Sequence, residues 1–122
     1  MLVSDPRESD ETLRSRFAEL GYLYFPALVQ ADACQALLED IVAQASPHVS
    51  MAGGQPQLVG EPFFETDPAW DAIYPGIQSL EAFHGFFHTP AMRKLQARLL
   101  DAEPFVYPMK MARISTPVSY TH

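Results

Sequence analysis

An α+β chain, helices first and strands last, is what the sequence predicts, and three observations carry that expectation. Three stretches within the first hundred residues repeat apolar side chains at helical spacing. Two short β-prone runs, 105–107 and 109–114, close the chain. A composition of 48% hydrophobic and 19% charged residues over 122 positions suits an ordered domain, typically roughly 100–200 residues long, rather than a disordered segment.

Residues 1–8, with Pro6 and no apolar periodicity, read as a flexible leader ahead of a single domain over 9–122. The first helix is expected over Asp10–Leu20, with Ser9 or Asp10 as its cap. Leu13, Phe17 and Leu20 share one face, and Gly21 stands where a left-handed residue ends a helix. Tyr22-Leu23-Tyr24-Phe25 is a short strand-like run stopped by Pro26. The second helix is expected over Ala31–Gln44, burying Cys34, Leu37, Leu38, Ile41 and Ala45.

Between residues 46 and 67 the periodicity fails. Six prolines and glycines leave a long loop, with at most a short strand over 57–59, and loops of this length are often functional or mobile. A helical turn over 68–74 is expected to bury Trp70 as an anchor, and another turn spans 79–86. The third strong helix opens on Thr89-Pro90, a capping residue followed by the proline favoured at the first helical position, and ends near Leu100. In the last run, strand alternation places Met109, Met111 and Arg113 on one side and Lys110, Ala112 and Ile114 on the other. A lone two-stranded ribbon is marginal in water, so the chain reads as the front of something longer.

The formal charge of −7 is uneven. Residues 1–72 hold twelve acids against three arginines, whereas residues 73–122 hold five bases against three acids. Such a chain lacks the basic stripe that a phosphate backbone requires, so no nucleic-acid partner is expected. No apolar run approaches the roughly 18–20 residues of a spanning helix, and residues 1–20 lack a basic start with an apolar core. No membrane partner is expected and the compartment is taken as cytoplasmic. One cysteine builds neither a disulfide framework nor a thiolate metal site, and Cys34 reads as a small core residue.

His84 and His88 are spaced i, i+4, which on a helix sets two imidazoles on one face as zinc sites need. Gly85 interrupts the segment and no third ligand stands nearby, so ordinary polar positions are the plainer reading. Arg113 is either a surface residue whose stem covers apolar area or an inward ligand for an anion. No nucleophile triad, phosphate-binding glycine loop or thiolate zinc knuckle is present. A small non-catalytic helical binding module therefore stands as the alternative to an enzyme.

The order of the pieces is more informative than any one of them. Phe17-Ala18-Glu19-Leu20-Gly21-Tyr22-Leu23-Tyr24-Phe25-Pro26-Ala27-Leu28-Val29, followed at once by an amphipathic helix, resembles the opening of the phytanoyl-CoA dioxygenase family. Phe87-His88-Thr89-Pro90-Ala91-Met92 through Leu99-Leu100 is similar to that family's His/Thr-Pro helix, with Asp101 where glycine is common. The run from Tyr107 to Ile114, then Thr116-Pro117 and Tyr120-Thr121-His122, resembles the strand leading to the family's His-x-Asp iron motif.

The resemblance, over residues 12–122, implies N-terminal helices and the first strands of a double-stranded β-helix (jelly-roll) barrel, apparently truncated. It implies a full-length oxidoreductase that uses Fe(II) and 2-oxoglutarate to hydroxylate a small-molecule substrate. In that family two histidines and a carboxylate hold iron and leave three coordination positions open. The metal histidine is expected a few residues past His122, or at His122 itself with shortened spacing. On the same grounds Arg113, and after it Met111, are the expected contacts of the 2-oxoglutarate co-substrate. The segment alone is expected to be inactive.

Overall fold

The structure is a computed structural model and describes residues 1–117. The chain divides into two compact units, one of Met1–Cys34 with Phe87–Val106, the other of Gln35–Phe86 with the residues from Tyr107 onward. Among the described residues the elements are five α-helices, a short 3-10 turn over Phe86–His88 and one antiparallel strand pair, an α+β composition. No helix among the described residues is long and apolar enough to cross a membrane.

In the first unit, α1 (Asp10–Leu20) starts where the Thr12 amide donates to Ser9 Oγ at 3.1 Å. It ends at Gly21, whose φ of 79° suits a residue without Cβ and lets its N–H reach Phe17 O at 2.8 Å. Leu13 is fully buried where α1 packs on α5 (Pro90–Leu100), which contributes the buried Leu95. Thr89 caps α5 through Met92 N, and Asp101 closes it in a left-handed conformation with φ 53°. The run 22–25 forms no strand; Tyr24 makes one parallel bridge to Val3.

Residues 1–8, expected as a flexible leader, are tied to this unit by side chains. Ser4 N donates to Tyr24 O at 2.7 Å, and Arg16 Nη1 donates to Ser4 Oγ at 2.9 Å. Arg16 also grips both oxygens of Glu8, at 2.9 and 2.7 Å. From α5, Arg98 donates to Asp10 Oδ1, Pro6 O and Glu8 O at 2.6, 2.6 and 2.7 Å. Arg14 donates to the carbonyl of Arg98, satisfying one of the acceptors that a helix C-terminus leaves open.

These pairs make the unit acid-sensitive. Hydrogen bonds from the Arg7 side chain pull the Asp5 carboxyl down from 3.8 to about 2, and those from Arg16 lower Glu8 below its ordinary 4.5. A carboxylate depressed in the folded state stabilises fully above its unfolded pKa and stops doing so as pH falls through the folded value. The urea midpoint is therefore expected to decline as pH drops from about 4.5 toward about 2. Arg16→Gln should remove the Glu8 share; because both acids face water, the decline is shallow. A midpoint that is flat over this range would contradict these pairings.

In the second unit, the C-terminal part of α2 (Ala31–Gln44) buries Val42 and leads to the buried Ala45. The stretch expected as a long loop with at most a short strand over 57–59 holds a hairpin. β1 (Val49–Ala52) pairs with β2 (Gln55–Leu58) in the register Val49 to Leu58 and Ala52 to Gln55. Gly53 and Gly54, with φ 60° and 78°, form the two-residue turn whose twist matches that of the strands. Helix α3 (Pro68–Gln78) outruns the expected turn by continuing through Pro75. Proline removes one backbone donor, but extension buries Ile77, which joins Ile73 four residues earlier at 0% and 2% exposure. Helix α4 (Glu81–Gly85) buries Phe83.

The closing runs 105–107 and 109–114 are not strands among the described residues. Residues 109–117 nonetheless alternate strictly, odd positions exposed and even positions half-buried, which is the pleat expected from the sequence. The run lacks a neighbouring strand, and a ladder needs two.

Candidate functional site

Residues 109–117 are held by side chains. Gln78 Nε2, at the end of α3, donates to Lys110 O at 2.6 Å and to the Tyr74 hydroxyl at 2.9 Å. Thr116 Oγ1 donates to Phe63 O at 3.1 Å. The Lys110 ammonium folds back on its own segment and donates to Tyr107 O at 3.1 Å.

The facing segment owes its shape to Asp67. Phe64 N donates to Asp67 Oδ2 at 2.8 Å, and Asp67 N donates to Phe64 O at 3.0 Å, closing a tight turn just ahead of Pro68 and α3. Phe63 is buried with its ring 5.6 Å from His48. Glu65, inside this turn, meets Arg113 with Nε to Oε1 at 3.0 Å.

Between these two segments lies an open cavity of about 260 Å³, walled by Phe63 and Phe64 on one side and by Arg113, Ile114, Ser115 and Thr116 on the other. Ligand pockets commonly run to roughly 300–1,000 Å³, so this one suits a smaller molecule. The lining offers the Arg113 guanidinium, a charge-assisted donor for a carboxylate, beside two phenyl walls, with the Glu65 carboxylate on the same cavity and the Thr116 hydroxyl committed to Phe63 O.

Of the two expected site residues, Arg113 lines this cavity. Met111 shares its exposed side of the run but is not among the cavity walls. Glu65 and Thr116 belong to the site and carried no local signal, because each meets a partner about fifty positions away.

His84 Nε2 lies 2.7 Å from Gln78 O. Helix α4 stops at Gly85, before His88, so the i, i+4 face assumed for the pair does not exist. Among the described residues no three His, Cys, Asp or Glu side chains are grouped to hold a metal ion. His122 lies outside the described residues. Cys34, expected in the core, is exposed; of the expected stripe Ala45 is buried, while on α2 itself the buried residue is Val42. Trp70 is half-buried and stacks on Tyr74 at 5.3 Å.

A larger apolar groove of about 610 Å³ lies in the first unit, lined by Phe17, Phe25, Leu95 and Leu99 with Arg14 at its edge. Arg14 serves the Arg98 carbonyl and has Asp101 at 3.7 Å. No protein-family model, curated protein or solved structure matches the chain.

Proposed function

We propose that the chain is the N-terminal part of a non-haem Fe(II)- and 2-oxoglutarate-dependent dioxygenase of the phytanoyl-CoA type, hydroxylating a small organic substrate. In this reading residues 109–114 form an early strand of a jelly-roll barrel. The observation that carries it is the strict alternation of exposure through that run, which sets Arg113 at the mouth of a small cavity with apolar walls. The order of elements supports it: a helix ending in Gly21, then Pro26 and α2, and later α5 opening on Thr89-Pro90 and closing on a left-handed Asp101 where relatives place glycine.

The described residues fit one half of the co-factor requirement. Arg113 supplies the cation for a 2-oxoglutarate carboxylate, and Phe63 and Phe64 line the same open cavity. No described cluster fits iron, so its ligands belong to other residues and no step through the metal is assigned to these.

Protein expressed from the complete coding sequence is expected to convert 2-oxoglutarate to succinate when Fe(II) and oxygen are supplied. The 122-residue chain alone is expected to do neither that nor tight iron binding. A complete product without a His-x-Asp motif, or succinate release by the 122 residues on their own, would contradict the proposal.

A further inference from the structure

Resting on that reading of Arg113, we infer that Glu65 is a specificity-determining residue of the same site, an internal carboxylate that occupies the guanidinium where an incoming acid must bind. The contact is direct, Arg113 Nε to Glu65 Oε1 at 3.0 Å, and both side chains border the cavity.

Two features make this more than a chance surface pair. The backbone around Glu65 is set by the Phe64–Asp67 turn, closed from both sides by hydrogen bonds of 2.8 and 3.0 Å that do not involve Glu65. The run carrying Arg113 is joined to the same segment independently, by Thr116 Oγ1 on Phe63 O at 3.1 Å. The backbone segments that carry acid and base are thus held by bonds other than the Glu65–Arg113 pair.

The consequence for a ligand is electrostatic. With Glu65 present, a carboxylate enters a site whose charges already cancel and must displace an acid from the guanidinium. A dicarboxylate brings a second negative group to the same place. Without Glu65 the site is a lone cation with a full set of donors. The contact is made through Arg113 Nε, and the side chains are 70% and 54% exposed, so the competition is modest. Exposed pairs of this kind correspond to roughly a 1.5- to 5-fold change in an equilibrium constant.

The experiment titrates 2-oxoglutarate into the 122-residue chain, Glu65→Gln and Arg113→Gln at low salt, following the backbone amide shifts of Ser115 and Thr116. Glu65→Gln is expected to bind roughly 1.5- to 5-fold tighter than the parent, and Arg113→Gln at least about tenfold weaker. Equal or weaker binding by Glu65→Gln, with binding still dependent on Arg113, overturns the role of Glu65 and leaves the Arg113 reading standing. Binding absent from both the parent and Glu65→Gln, or unaffected in Arg113→Gln, overturns both.

Discussion

Leu13→Ala is expected to lower the unfolding free energy by about 2–5 kcal/mol, the range for emptying a fully enclosed leucine site. Leu13 has no exposed surface and lies where α1 packs on α5, so truncation removes its own transfer energy and leaves a void that two helices must close over. Domains of ordinary size are stable by only about 5–15 kcal/mol, so this one change takes a large share. Leu20, on the same helix but 38% exposed, serves as the control and should cost less than about 1 kcal/mol when replaced by alanine. Urea unfolding of both variants checks this, and equal costs would mean that α1 is not seated as described.

Arg98→Met is the second large effect, expected to cost about 2–3 kcal/mol. Methionine keeps most of the stem but forfeits three charge-assisted bonds, to Asp10 Oδ1 and to the carbonyls of Pro6 and Glu8. Arg98→Lys should recover only a fraction, because one ammonium does not reach three acceptors that a planar fork spans. The damage should be local first. Trypsin is expected to cut after Arg7 faster in Arg98→Met, and the Ser4 amide, bonded to Tyr24 O, to exchange faster, before global unfolding changes in proportion. An unchanged cleavage rate would show that the first ten residues do not depend on this arginine.

Local chemistry made three helices legible. Ser9 and Thr89 cap as their sequence neighbours suggest, Gly21 ends α1, and the bounds of α1 and α2 agree with the apolar spacing. Three features differ from the local reading for identifiable reasons. The turn expected over 68–74 is longer, because the burial of Ile77 offsets the hydrogen bond that Pro75 removes and α3 continues. The Gly53-Gly54 pair is a two-residue hairpin turn hidden by Pro56 and two glutamines, which mask any β pattern in the second strand. Cys34 was placed in the core because an apolar stripe names a helix face without saying whether anything covers it.

At the site, Arg113 stood out as a cation in an apolar run, and the alternation of Met111 and Arg113 against Ala112 and Ile114 followed from pleating alone. Glu65 did not stand out. Its relation to Arg113 arises from how the Asp67 turn is folded against a distant segment, and no window of neighbouring residues contains that information.

Asp101 holds two opposed obligations. Its left-handed backbone, φ 53°, carries a penalty of about 1 kcal/mol that glycine would not. Its carboxylate, 3.7 Å from the Arg14 guanidinium, returns an attraction of about 0.2–1 kcal/mol in this exposed setting. The two terms nearly cancel, so aspartate and glycine are close to interchangeable at the end of α5. Drift between them is almost neutral for folding, while it switches a negative charge on or off beside the apolar groove.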